Sequence, residues 1–284
     1  MTVGTKYANN LKRELTESSY KTLRKIIMKK NIAKNIVLSV ITGSVLAASQ
    51  MASAHTRLQT PIIDENAARH GSNYNNQVIS HGCRNPDTGT ADINTAGTVV
   101  VFPDGVDSAI TVDGVATDKG LIDFVSNWGS PVQKIQNKDV FTIEHEIKDP
   151  LGNVLGFWAT GGTGLQGGLT GVIPFRTSGV VIEPTSCAKT VKFVVAIADV
   201  CAFTNVSGFN DATVMLWTPA VGSMFDGTEE LNGYNSPASL TVNRTSELPE
   251  ACGEGSDIVV TPSAEQLNRD MTIEINGAQA WPTP

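Results

Sequence analysis

Short strands separated by turn residues constrain the fold of this chain more than any other feature. The strongest run is "KTVKFVVAIADV" (189–200), and "GTVVVFP" (97–103) ends in the turn Pro103-Asp104-Gly105. No long stretch keeps the apolar period of about 3.6 residues that marks an amphipathic helix. Short strands with regular turns are typical of antiparallel sandwiches and barrels. We therefore predict an all-β fold, an antiparallel β-sandwich of the immunoglobulin or cupredoxin type.

Further strands are predicted along the rest of the chain. The runs 139–147 and 154–160 flank a turn rich in Gly, Asp, Asn and Pro, and this pattern predicts a hairpin. The segment 219–237 is rich in Gly, Pro and Asn and is predicted to be a long loop. Four more strands are predicted at 212–217, 238–242, 257–261 and 271–275.

A targeting segment is predicted at the start of the chain. A lysine-rich stretch (29–34) precedes the apolar run "NIVLSVITGSVLAA" (35–48), and "ASA" (52–54) has the A-x-A pattern that a signal peptidase cuts. The apolar run is shorter than the roughly 20 residues of a membrane-spanning helix. We therefore expect residues 1–54 to form a cleaved signal-peptide region whose true start is Met28. An uncleaved signal anchor is the alternative.

The charge balance changes at the predicted cleavage position. Nine of the 21 Lys and Arg residues, but only two of the 28 Asp and Glu residues, precede His55. The mature part therefore carries 12 basic and 26 acidic residues, a net charge near −14. Such a surface opposes nucleic-acid binding, which needs basic residues against the phosphates, and it attracts cations. We expect a periplasmic or secreted protein with no membrane span after cleavage and no nucleic-acid partner.

All four cysteines, Cys83, Cys187, Cys201 and Cys252, follow the predicted cleavage position. An even number of cysteines in an exported chain favours disulfides. Three pairings are possible, and the spacing does not choose among them. A thiolate metal site is the rival interpretation, but the sequence has no C-x-x-C pair.

One glycine-rich motif is not interpreted as a dinucleotide-binding site. "GTGLQG" (162–167) matches the G-x-G-x-x-G pattern and follows a predicted strand. A dinucleotide site requires a helix to begin there, with its N-terminus at the pyrophosphate. Gly168, Gly171 and Pro174 follow instead and oppose a helix, so the segment is interpreted as a flexible glycine loop.

Cleavage after Ala54 makes His55 the first residue of the mature chain. An N-terminal histidine binds a metal through its α-amine and its ring Nδ1 together, closing a chelate ring on one residue. The amine titrates near 8 and the imidazole near 6.5, so protons compete only mildly at neutral pH. One more imidazole gives three nitrogens in a near-planar arrangement, which favours Cu(II). We therefore predict one Cu(II) per chain at this residue.

Three other histidines compete for the place of the second imidazole. His81 lies in "VISHGC" (78–83), at the end of a short predicted strand and two residues before Cys83, and is the preferred ligand. His70 lies in a predicted loop and is a further candidate. His145 shares the apolar face of the predicted strand 139–147 with Ile143 and Ile147 and is interpreted as a core histidine.

With these residues described, the chain resembles the YcnI-like family of exported copper-binding domains. Members of that family begin, once cleaved, with a histidine, followed by a proline-containing stretch, a "PHGC" or "PNE" element and a strand closed by "P-x-G-V". The similar pieces of this chain occur in the same order, over about 55–217. They are His55, "QTP" (59–61), "SHGC" (80–83), "VVVFPDGV" (99–106), "SNWGSP" (126–131), "FWATGG" (157–162) and "VIPFRTSGVVIEPTSC" (172–187).

The resemblance implies a β-sandwich that holds Cu(II) by an N-terminal histidine brace, with a tryptophan, Trp128, near the metal. Many members supply a glutamate as the remaining protein ligand. This chain has "SHGC" at that place, so His81 replaces the glutamate or stands beside it. The resemblance also implies the disulfides Cys83–Cys187 and Cys201–Cys252.

The expected organisation is a copper-binding sandwich at 55–243 followed by a C-terminal extension at 244–284 with possible extra strands. The expected function is a copper chaperone or buffer that is not an enzyme and that exchanges copper with a membrane or periplasmic protein. One alternative is a copper-dependent mono-oxygenase that cleaves polysaccharides, although aromatic residues are only 6% of the chain. The other is a structural or adhesive β-domain without metal.

Overall fold

Strands dominate a computed structural model of the chain, as predicted, and form an all-β sandwich. The structure describes residues 56–66, 71–226, 233 and 235–284; the predicted signal-peptide region, His55 and His70 lie outside them. The strands are β1 (Arg57–Leu58), β2 (Ile62–Asp64), β3 (Ser72–Ile79), β4 (Thr95–Val101), β5 (Ala109–Val112), β6 (Val115–Ala116), β7 (Val132–Lys134), β8 (Ile143–Lys148), β9 (Val154–Leu165), β10 (Gly171–Ser178), β11 (Ala188–Val200), β12 (Val214–Trp217), β13 (Ala238–Asn243), β14 (Ser256–Thr261), β15 (Ile273–Ile275) and β16 (Ala278–Trp281). An α-helix, α1 (Ala264–Asp270), lies between β14 and β15.

Two sheets form the sandwich. The four-stranded sheet has the order β1-β3-β10-β7, and the large sheet has the order β6-β5-β14-β11-β4-β9-β8. β11 is long enough to take two partners on each side. Its first half lies between β13 and β14, and its second half lies between β12 and β4. The pairs β11–β14 and β13–β2 are parallel, so the large sheet is mixed.

The central strands of the large sheet are buried on both faces, which explains their continuous apolar sequence. On β11, Val195 and Ile197 belong to the main core between the two sheets, whereas Ala196 and Ala198 belong to a second core on the opposite face. Side chains alternate along a strand, so Asp199 points towards the main core. This alternation places a carboxylate between the two sheets.

The C-terminal segment is built into the large sheet. β14 lies between β5 and β11 rather than at an edge. Further along, α1 and the β15–β16 hairpin contribute Leu267, Met271, Ile273 and Trp281 to the second core. Residues 244–284 therefore contribute a strand to the large sheet and side chains to the second core. No helix in the described part of the chain has the length and apolar character needed to cross a membrane.

All four cysteines form disulfides, but the pairing that the resemblance implies is wrong. The bonds are Cys83–Cys201 and Cys187–Cys252. β11 and β14 are parallel, with Ala188 opposite Ser256, so the cysteines that precede them lie at the same end. Cys187 and Cys201 lie at opposite ends of the 13-residue β11, about 40 Å apart at the usual rise per residue. This separation prevents the implied arrangement.

Two local interpretations are also corrected. The segment 162–167 is not wholly a loop, because β9 continues to Leu165. Its positive-φ glycines allow a bulge against β4, where a Cβ on Gly164 would lie 2.3 Å from the Thr95 carbonyl oxygen. His145 is not a core residue: it is exposed, and its ring stacks on that of Trp158 with centroids 5.5 Å apart.

Candidate functional site

A buried carboxylate, that of Asp199, lies near the C-terminal end of β11. Its side chain faces the four-stranded sheet and is 0% exposed. A carboxylate removed from water requires hydrogen bonds or a cation to offset the loss of hydration. The surroundings of Asp199 therefore show what this end of the sandwich can bind.

Four side chains donate hydrogen bonds to Asp199. Thr98 Oγ1 and Gln77 Nε2 donate to Oδ1 at 3.0 and 3.1 Å. Trp217 Nε1 donates to Oδ2 at 3.2 Å, and Thr56 Oγ1 donates to the same oxygen. These five residues, named the Asp199 cluster below, join the four-stranded sheet to the large sheet.

Burial raises the pKa of Asp199 to about 6, although its hydrogen bonds and the attraction of His81 act in the opposite direction. Within the described part of the chain, Asp199 forms no ion pair with Lys or Arg. At neutral pH the cluster therefore holds a mostly ionised carboxylate without a full countercharge. A cation close to it would be stabilised by this charge.

His81 lies at the same end of the sandwich. It is half-buried and follows β3, and its Nδ1 lies 2.7 Å from the Gly82 carbonyl oxygen. Because that oxygen only accepts, Nδ1 carries the proton in this contact, and Nε2 of the neutral ring keeps a lone pair for a metal. The disulfide joins Cys83, two residues after His81, to Cys201, two residues after Asp199. It holds the ends of β3 and β11 together.

The first described residue connects His55 to this cluster. Thr56 is 3% exposed and is fixed by its hydrogen bond to Asp199. The next two residues pair with β3, with Arg57 opposite Val78. In the sequence, His55 directly precedes Thr56. Cleavage after Ala54 would create the new amino terminus one residue from the Asp199 cluster.

Trp128, which the resemblance places near the metal, lies away from the Asp199 cluster. Its ring stacks on Phe193 with centroids 3.6 Å apart, and its Nε1 donates to the Pro103 carbonyl oxygen at 2.6 Å. Phe193 and Asp199 are six residues apart on β11, a distance of about 20 Å. Trp128 is therefore a core residue remote from the cluster. Trp217 supplies the indole beside Asp199 instead.

Sequence reasoning missed both Asp199 and Trp217. A usable indication was present, because Asp199 is the only acidic residue in the strongly apolar run 189–200, and buried acids are rare unless they have partners. Trp217 ends the predicted strand 212–217 and has no comparable indication. Its proximity to Asp199 follows from the pairing of β11 with β12.

The described residues do not form a complete metal site by themselves. They contain no group of three or more His, Cys, Asp or Glu side chains placed to hold one ion. What they offer is one imidazole, that of His81, and one carboxylate, that of Asp199. The amine and imidazole of a cleaved His55 would add the nitrogen donors that Cu(II) prefers.

No protein-family model matches the sequence, and no curated protein matches it. The resemblance to the YcnI-like family therefore stays a prediction.

Proposed function

We propose that the mature chain is an exported Cu(II)-binding protein of the YcnI-like kind that serves as a copper chaperone or buffer. His55 supplies its α-amine and its ring Nδ1, and His81 supplies a second imidazole. The observation that carries the proposal is the anchoring of Thr56. The residue next to the predicted cleavage position is buried and bonded to Asp199, and His81 acts electrostatically on the same carboxylate.

The chemistry of the site fits Cu(II). Three nitrogens in a plane satisfy its preference for tetragonal coordination. The buried carboxylate of Asp199 offsets part of the charge of the ion. It does so either as a direct ligand or from the far side of Thr56, whose hydroxyl group donates to it. The hydrogen bond of Thr56 to Asp199 and the Cys83–Cys201 disulfide fix the chain next to the two histidines, and a site ordered before binding favours affinity.

A buffer or chaperone must also release copper to another protein. Two donors on the terminal residue of a chain are well suited to transfer, because they detach together without disturbing the core. The partner we propose is a membrane or periplasmic protein that donates or accepts copper. Polysaccharide oxidation has less support, since the indole at this end of the sandwich, Trp217, is only 3% exposed and offers no stacking surface.

Titration with Cu(II), followed by electron paramagnetic resonance, tests the proposal. The chain beginning at His55 should bind one ion. A chain that retains Ala54 should bind it at least about a hundredfold more weakly, because its amine has become an amide. His81→Ala should remove one coordinated nitrogen, and Asp199→Asn should lower the affinity without removing a nitrogen.

His145→Ala is the matched control, because His145 is an exposed histidine outside the site. Its copper affinity and spectrum should equal those of the unaltered protein. Equal copper binding by the chains that begin at His55 and at Ala54 would contradict the brace. An unchanged spectrum in His81→Ala would remove His81 from the site.

A further inference from the structure

A polar groove lies at the opposite end of β3 from His81. It has a volume of about 480 Å³, within the range of roughly 300–1,000 Å³ that is usual for small-molecule sites. Ser72, Gln133, Arg176 and Ser178 contribute polar groups from the four-stranded sheet, and Glu146 contributes one from β8. Val132 and Val154 add a small apolar surface.

The walls of the polar groove are held in place by hydrogen bonds. Ser178 Oγ donates to the Ser130 carbonyl oxygen at 2.7 Å, and the backbone N–H of Val154 donates to Ser130 Oγ at 3.1 Å. Asn127 bridges the same wall, donating to Gly179 and accepting from Val181. A ligand would enter a preformed site, and its binding would cost little conformational entropy of the protein.

Within the described part of the chain, some N–H donors that line the polar groove have no partner. Arg176 Nε donates to Gln133 Oε1 at 2.5 Å, which links the two side chains. Among the described residues, the two Nη atoms of Arg176 and the amide nitrogen of Gln133 have no hydrogen-bond partner. They offer neighbouring N–H donors of the kind that binds pairs of adjacent oxygen atoms.

The charges of the polar groove favour a neutral ligand. Arg176 opposes a cation, and Glu146 opposes an anion. The two side chains line the same groove without forming an ion pair with each other. Glu146 instead accepts from the backbone N–H of Lys134 at 3.3 Å and lies 3.9 Å from Lys148 Nζ. Its carboxylate is therefore available as an acceptor for ligand hydroxyl groups.

An exposed aromatic ring lies beside these polar groups. Tyr74 is directly opposite Arg176 in the β3–β10 register, on the outer face of the four-stranded sheet. It is 72% exposed, although tyrosine usually buries much of its ring. A flat ring next to paired donors and an acceptor matches a sugar ring, whose axial C–H groups pack on an aromatic face while its edge hydroxyls form hydrogen bonds.

We propose that the polar groove and Tyr74 form a binding site for neutral saccharides with equatorial hydroxyl groups, such as β-1,4-linked glucans. Tyr74 packs against one face of a sugar ring. Arg176, Gln133 and Glu146 bind its hydroxyl groups. The site does not depend on copper, because β3 separates it from His81 by its full length of eight residues, about 26 Å.

Binding to a glycan array of neutral and acidic oligosaccharides, followed by calorimetry with cellohexaose and with the strongest neutral hit, tests this site. The purified mature chain should bind a neutral β-linked oligosaccharide with a Kd in the millimolar range or tighter. Tyr74→Ala and Arg176→Ala should each weaken binding by about tenfold or more. Tyr74→Phe should retain most of the affinity because it keeps the ring.

Arg84→Ala is the matched control, since Arg84 is an exposed arginine outside the groove whose Nε donates to the Gly89 carbonyl oxygen at 3.1 Å. It should bind the saccharide as the unaltered chain does. Thermal unfolding of each variant checks that the fold is intact. The absence of any neutral hit, binding to acidic glycans only, or unchanged affinity in both Tyr74→Ala and Arg176→Ala would overturn the proposal.

Discussion

The carboxylate of Glu65 joins three distant parts of the chain. Its Oε1 accepts from the backbone N–H groups of Thr245 and Ser246 at 2.8 and 2.7 Å and from Ser246 Oγ at 2.6 Å. Its Oε2 accepts from the N–H of Ile182 at 3.2 Å. Burial alone would raise the pKa of Glu65, but these hydrogen bonds outweigh it and hold the pKa below the ordinary value of 4.5.

This lowered pKa predicts acid-dependent stability. Because the folded-state pKa is below the unfolded value, ionised Glu65 stabilises the fold above pH 4.5, and that stabilisation is lost as pH falls through the folded-state pKa. Glu65→Gln should cost about 2 kcal/mol at pH 7, the usual contribution of hydrogen bonds to a charged group. Chemical denaturation at pH 7 and at successively lower pH should show the two proteins converging. A difference that is independent of pH would contradict this assignment.

Contacts between residues of the two sheets could not be predicted from the sequence. The sequence indicates a reactive amino terminus at His55 and a second imidazole at His81 from local patterns alone. Asp199 is separated from Thr56 by 143 residues and from Gln77 by 122. The spacing of apolar residues along a strand does not predict such contacts, because they depend on how two sheets are stacked. The most that the sequence offers is an acidic residue in an apolar strand.

Among the elements, strands with a strong β-branched run were predictable and the short helix was not. β4, β9, β11, β13 and β14 all lie at predicted positions. α1 has only seven residues, too few to establish a helical period. It is stabilised locally by Ser263, whose side chain accepts from the N–H of Gln266 at 2.9 Å, and by tertiary packing. Gln266 donates to the Phe102 carbonyl oxygen at 2.9 Å and docks the helix on the large sheet.

The two disulfides join different pairs of elements and predict different effects on copper. Cys83→Ser/Cys201→Ser frees the end of β3 from the end of β11, whereas Cys187→Ser/Cys252→Ser frees the starts of β11 and β14. Each double variant should lose about 2–5 kcal/mol of stability. Only the first should weaken Cu(II) binding, because only the first disulfide lies beside His81 and Asp199. Calorimetric titration below the unfolding temperature of each variant measures this, and an equal loss of affinity in both would contradict it.

At the scale of the whole molecule, the second core predicts that the sandwich depends on the C-terminal segment. The large sheet presents an apolar face away from the four-stranded sheet, including Val99, Val101 and Leu216. An exposed patch of this kind is unfavourable in water. The segment after residue 243 covers it with α1 and the β15–β16 hairpin and also inserts β14 into the sheet. Sequence patterns predicted β14 and β15 but not β16, and the layer that this segment covers follows only from the assembled fold.

A chain that ends at Asn243 should therefore fail to fold. It would lose six side chains that are at most 1% exposed: Ile258, Val260, Leu267, Met271, Ile273 and Trp281. Burying a large apolar side chain contributes about 1.5–3 kcal/mol, so the total loss is about 10 kcal/mol or more, comparable with the full stability of roughly 5–15 kcal/mol of a typical domain. The shortened chain lacks Cys252, so it should also carry Cys187→Ser, which prevents disulfide exchange by the unpaired thiol of Cys187. The control is a chain from which only the exposed Pro284 is deleted. Circular dichroism should show cooperative unfolding in the control and none in the shortened chain; a cooperative transition in the latter would mean that residues 56–243 fold independently.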